Sequence, residues 1–196
     1  MGWEEFVPRK ETKYIFFIFM YSHSIMNKIF HMGGTMAEII NFNPGRNLKA
    51  GIFEKYMKDN NLNFFQRRDT HDEKDSVAFI TAIPAGIHRL VAAVITDNSM
   101  YTLLRIHLGV APAGPARKTF IRFLEQLNAA HSIFKYSIAE DDNTFLDICV
   151  TTRPESFDPE IIRTSLNLII FHLKDNYEDI ARRLSKPGDA SDGFEL

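Results

Sequence analysis

Seven histidines are the residues of this chain best suited to metal or acid–base chemistry. None sits in a metal-binding spacing such as HExxH or HxH, and zinc needs three or four protein ligands. The best pair is His88 and His107. With Asn98 and Ser99 at the tip of a hairpin, the two are diagonal cross-strand neighbours on one sheet face, about 7–8 Å apart at the backbone. No third ligand accompanies them, so they read as surface or interface histidines. Glu140, Asp141 and Asp142 are adjacent acids without the alternating ligands or the glycine of a calcium loop, and read as a solvated turn. Cys149 is the only cysteine. It has no base close in sequence and reads as a half-buried thiol rather than a nucleophile. Gly33-Gly34 and Gly109–Gly114 match neither GxxxxGK[ST] nor GxGxxG, so no phosphate loop is indicated. The expectation is a protein without catalytic residues, metal or cofactor.

The bulk properties narrow the class further. The chain has 196 residues, enough for one domain with extensions. Hydrophobic residues make up 45% and charged residues 24%, which suits a packed core and argues against wholesale disorder. A net charge of −2 lacks the basic surplus that phosphate neutralisation demands, so nucleic acid is not an expected partner. One cysteine cannot form an intrachain disulfide, which fits a reducing, cytoplasmic setting.

The elements that would position these residues are legible from period and punctuation. A helix is expected over 47–60, with Asn47 as cap and Leu48, Ile52, Phe53, Tyr56 and Met57 as its stripe. Residues 62–68 suit a short edge strand guarded by Arg67 and Arg68. Strands follow at 77–83, ended by Pro84-Ala85-Gly86, and at 87–96 and 101–108. The tip at Asn98-Ser99 pairs Leu90 with His107, Ala92 with Arg105 and Val94 with Leu103. That register places Val91, Ala93, Ile95, Leu104, Ile106 and Leu108 on an apolar face meant for helices. It leaves a mixed face carrying Leu90, Val94, Tyr101, Leu103, Arg105 and His107. Tyrosine and arginine beside aliphatics is an interface composition, and these six residues are the candidate partner-binding or dimer face. Pro115 opens a second helix with the stripe Phe120, Phe123, Leu124 and Leu127. A second hairpin with the loop Asp141-Asp142-Asn143 pairs Phe134 with Val150, Tyr136 with Ile148 and Ile138 with Leu146. One of its faces is then wholly apolar, and Asn143 takes the left-handed turn position. Asp158-Pro159-Glu160 starts a last helix reaching Leu184 on the stripe Ile162, Leu166, Ile169, Leu173, Tyr177 and Ile180.

The ends read differently. Residues 1–40 form an N-terminal extension around the apolar run Tyr14–Tyr21 (YIFFIFMY). The run is too short to span a membrane, which takes about 20 apolar residues, and no small-residue cleavage site follows it. Met36, in MAEIINFNPGRN, is a plausible natural start, so part of the extension is expected to be a mis-assigned beginning. Residues 41–184 form a single domain, and 185–196 a disordered tail.

The order helix, strands, helix, hairpin, helix is an α+β layout: an antiparallel sheet of about five to six strands with helices on one face. The segments IFEKYMKDNNLNFF, VAAVITDNSMYTLLRIHL, FIRFLEQLNAAHSIFKYSIAEDDNTFLDICV and FDPEIIRTSL carry a resemblance. Leu127-Asn128 followed by Phe134–Ile138 and an acidic turn stands at its centre. This pattern resembles the YbjN-type bacterial sensory-transduction regulators over about two-thirds of the chain. The Ala129–Ser132 segment departs from it, because a second Asn or a Gly-rich turn is expected there. The resemblance implies a type III secretion chaperone-like fold and a non-enzymatic regulatory or chaperone-like module that binds another protein and forms a homodimer. The rival expectation is a small ligand-binding or enzymatic domain using the His88/His107 sheet face.

Overall fold

The computed structural model describes residues 47–185. The extension at 1–40, the proposed start at Met36, Gly33-Gly34 and the tail beyond Ser185 lie outside the described residues. Those described form an α+β fold of six strands and three helices, with the core on one side of the sheet.

Helix α1 spans Leu48–Asp59 and starts where Asn47 Oδ1 accepts the Ala50 amide at 2.9 Å, one of the free N–H groups of the first turn. Strands β1 (Gln66–Asp69), β2 (Val77–Ala85), β3 (His88–Thr96) and β4 (Tyr101–Val110) follow. Helix α2 (Gly114–Ala130), strands β5 (Lys135–Ile138) and β6 (Asn143–Thr151), a 3₁₀ turn (Pro154–Ser156) and helix α3 (Pro159–Ala181) complete the fold. The sheet order is β1-β2-β3-β4-β6-β5, with every neighbouring pair antiparallel. All three helices share one core with alternate strand residues. Phe53, Phe120, Leu124, Ile162, Ile169 and Leu173 pack there with Phe79, Val94, Leu104, Ile106 and Leu146. None of the described helices is long and apolar enough to cross a membrane.

Several boundaries differ from the sequence expectation for identifiable reasons. Strand β1 starts at Gln66 rather than residue 62, because Leu62 and Phe65 turn inward to the core, Phe65 edge-on to Phe53 with centroids 5.6 Å apart. Strand β2 runs through Pro84 to Ala85, and Gly86-Ile87 makes the turn with Gly86 at φ 62°. β1 pairs with β2 only as far as Ile80, so Pro84 sits beyond its reach, where a missing N–H costs no ladder bond on that side. Helix α3 ends at Ala181, yet Leu184 still packs on the core. Between His107 and Gly109 the ladder to β6 slips by one residue. At this bulge Leu108 offers its carbonyl to the Tyr177 hydroxyl at 2.8 Å. Gly109 holds φ 137°, with Leu184 Cδ1 2.8 Å from where a Cβ would be.

Both hairpin registers differ from the expected ones. In β3–β4, Ala92 faces Ile106, Val94 faces Leu104 and Thr96 faces Thr102, one residue away from the Asn98-Ser99 alternative. A wider loop replaces the two-residue tip. Asp97 Oδ1 accepts both Ser99 N at 3.0 Å and Ser99 Oγ at 2.6 Å, and Ser99 Oγ accepts the Tyr101 amide at 3.1 Å. Lys49, buried on α1, donates to the Tyr101 carbonyl and lies 3.7 Å from Asp97. In β5–β6, Tyr136 faces Leu146 and Ile138 faces Thr144. The loop is Glu140-Asp141-Asp142, and Asp142, not Asn143, takes the left-handed position at φ 63°. A slip of two residues keeps every side chain on its face, whereas a slip of one exchanges the faces of one strand relative to the other. The second hairpin therefore keeps its apolar face, and the first does not keep its expected mixed one.

Candidate functional site

The one-residue slip divides the six candidate residues. Leu90 and Val94 join the core, 7% and 0% exposed. Tyr101, Leu103, Arg105 and His107 lie on the opposite, outer face. There β3 contributes Val91, Ala93 and Ile95, and β6 contributes Phe145, Asp147 and Cys149. His88 and His107 are consequently on opposite sides of the sheet. His88 Nε2 sits 3.3 Å from Glu178 Oε2 of α3, and its ring meets Tyr177 edge-on at 5.1 Å. The two cannot share a ligand, so the His88/His107 face expected from the sequence does not exist.

Arg105 is the centre of the outer face. It stands directly opposite Asp147 in the β4–β6 ladder. Its Nε donates to Asp147 Oδ1 at 2.9 Å and its Nη2 to Oδ2 at 2.7 Å, the two-point geometry that holds a guanidinium rigidly. The guanidinium carbon lies 4.8 Å over the Phe145 ring. Arg105 is 1% exposed, and its Nη1 has no hydrogen-bond partner among the described residues. Beside it, His107 Nε2 and Asn143 Oδ1 are 2.7 Å apart. Asn143 Nδ2 donates to Asp141 Oδ2 at 2.6 Å, which turns the amide oxygen toward His107 and places a proton on Nε2. The arrangement is a positioned arginine and an oriented imidazole on an otherwise apolar floor. With Arg105 and Phe145 buried, the side chains of this β4 face open to another molecule are Tyr101, Leu103 and His107, each partly exposed.

The acidic turn singled out in the sequence has structural employment. Asp141 also accepts the Asn143 amide, and Asp142 pairs with Arg117 of α2 at 2.6 Å, so the acidic tip is tied into its own turn and to α2. Cys149 is exposed rather than half-buried as expected; desolvation of its thiol and the neighbouring Asp147 and Asp97 carboxylates raise its pKa despite Lys49, away from thiolate reactivity.

Two features escaped the sequence reading. His172, on the apolar stripe of α3, is 7% exposed. It stacks against Phe134 with centroids 4.2 Å apart, meets His131 edge-on at 4.5 Å, and has Nε2 2.6 Å from the Tyr136 hydroxyl. Burial, reinforced by His131, lowers its pKa to about 4. Its place beside Ile169 and Leu173 was the available signal. The second feature is a cavity of about 240 Å³ between α1, β2 and α3, lined by Phe53, Tyr56, Leu62, Phe65, Ile83 and Leu166. Arg163 at its mouth is held by Glu160 at 2.6 Å, and Glu160 also accepts from the Tyr56 hydroxyl at 2.6 Å, so the charged groups there satisfy one another. The chain matches no family model and no curated protein.

Proposed function

We propose that this protein is a non-enzymatic, polypeptide-binding module of regulatory or chaperone-like character, acting in the bacterial cytoplasm and self-associating through the outer sheet face. The observation that supports the reading is the outer face of β4, where Tyr101 and Leu103 are partly exposed and Leu103 stands opposite Ile95, with Arg105 held flat beside them by Asp147 and Phe145. Tyrosine beside aliphatic side chains is a composition in which interfaces concentrate binding energy, and the buried Arg105–Asp147 pair holds the strands beneath it rigid. The α+β layout and the YbjN-type pattern in the sequence point to the same class. Light scattering of the purified protein tests it. A dimer is expected, and Leu103→Glu or Tyr101→Glu is expected to weaken self-association at least tenfold by placing a carboxylate in the contact. An unchanged mass for both variants overturns the reading.

A further inference from the structure

A protein interior leaves few voids larger than a water molecule, because empty space forfeits dispersion contacts. The cavity of about 240 Å³ departs from that rule. It lies where the sheet runs out of strands. β1 pairs with β2 only as far as Ile80, so Thr81–Ala85 has no neighbouring strand on that side among the described residues. α1, the connection at 62–65 and α3 surround the gap without filling it. Its walls are apolar, built from Phe53, Leu62, Phe65, Ile83, Leu166 and Ile170. Phe53 and Phe65 stand edge-on at 78°, a setting that a further aromatic ring can join by offset or edge contact.

Two polar features restrict the occupant. At the mouth the charged groups are already paired. Glu160 accepts from Arg163 Nε at 2.7 Å and from the Tyr56 hydroxyl at 2.6 Å. An ionic guest would leave water for an apolar wall and find its counter-charge engaged, which disfavours it. Within the wall, Thr81 is the polar member of the core-facing row Val77, Phe79, Thr81, Ile83 and Ala85. It is half-buried and lines the cavity, and its hydroxyl has no hydrogen-bond partner among the described residues. Size supplies the last restriction. An apolar cavity of about 150 Å³ admits benzene, so one about 1.6 times larger takes roughly ten ring atoms, two fused rings rather than one.

We propose that this cavity binds a small, neutral, two-ring aromatic molecule of indole size, with its one hydrogen-bonding group on the Thr81 hydroxyl. The site lies on the helical side of the sheet, away from Tyr101 and Leu103, so it does not rest on the docking role of the outer face.

Indole and indene are the probes, since they share one shape and differ by an N–H in place of a CH₂. Calorimetric titration of the whole chain is expected to show one indole bound per chain, with a dissociation constant of about a millimolar or tighter. Nuclear Overhauser contacts from the bound ring are expected to the methyl groups of Ile83, Leu166 and Ile170. Thr81→Val keeps the shape and removes the hydroxyl. It is expected to weaken indole at least fivefold and to leave indene no weaker. Should that variant fail to fold, Thr81→Ala takes its place, read by the same change in the indole-to-indene affinity ratio. Octanoate, a flexible anion of comparable size, is expected not to bind. The proposal is overturned if neither ring compound binds at millimolar concentration, or if their contacts fall on Ile95 and Leu103 instead. Equal weakening of both probes by the Thr81 variant removes the hydroxyl as the recognition group, and octanoate binding tighter than indole overturns the neutral aromatic assignment.

Discussion

At the residue scale, two buried titratable groups, His172 and Lys49, are committed to the fold. His172 is the clearest case. Its folded-state pKa of about 4 lies below the ordinary 6.5, so the fold favours the neutral ring. Between these values the unfolded chain binds more protons than the native one. The stabilisation is complete above about pH 6.5 and is lost as pH falls toward 4. Denaturation midpoints measured from pH 7 to 4 are expected to fall across that window, and His172→Gln, which cannot protonate, is expected to flatten the profile there. An identical slope in the variant removes His172 as the cause. Lys49 makes the complementary point. Burial lowers its pKa, opposed by Asp97, and among the described residues its ammonium meets Asp97 and the Tyr101 carbonyl. Asp97→Ala strands a buried cation and breaks the loop that sets the β3–β4 register. A loss of about 3 kcal/mol in chemical denaturation is expected.

At the element scale, two irregularities decide which side chains face where. The Gly109 bulge turns Leu108 O toward Tyr177 and admits Leu184 against the backbone. Gly109→Ala meets both a φ of 137° and a 2.8 Å contact with Leu184. A loss of about 2 kcal/mol is expected. Adding Leu184→Ala is expected to recover only the steric part, so a double variant restored fully to wild-type stability speaks against backbone strain. The helices and the second hairpin were readable in advance because their signals are redundant. Asp158 caps α3 by accepting the Glu160 amide at 2.9 Å, and the stripe from Ile162 to Ile180 runs the length of that helix. The β5–β6 loop shifted by an even step, which left Phe134, Tyr136, Leu146 and Ile148 on the core face. The β3–β4 turn had no comparable signal. Both strands are apolar on alternate and intervening residues alike, so the pattern tolerates two registers. The Lys49 and Asp97 contacts that choose between them come from residues 48 positions apart.

At the scale of the whole molecule, three helices seal one face of a six-stranded sheet, while the other carries the buried Arg105–Asp147 pair with Tyr101, Leu103 and His107 beside it. Residues 41–185 contain the helices, the sheet and the core that joins them. That portion alone is expected to unfold in one cooperative transition; separate transitions for the helices and the sheet contradict this. Residue order alone determined the α+β class, the element sequence, the caps and the single core, because local period and turn chemistry reflect burial directly. It also supplied Tyr101, Leu103, Arg105 and His107 as members of one face, since alternation along a single strand is local. Only the tertiary structure decided what stands beside them. It moved Leu90, Val94 and His88 to the helical side and set Phe145 and Asp147 against Arg105. Pairing between strands is set by distant contacts, and one residue of slip exchanges the two faces of a strand.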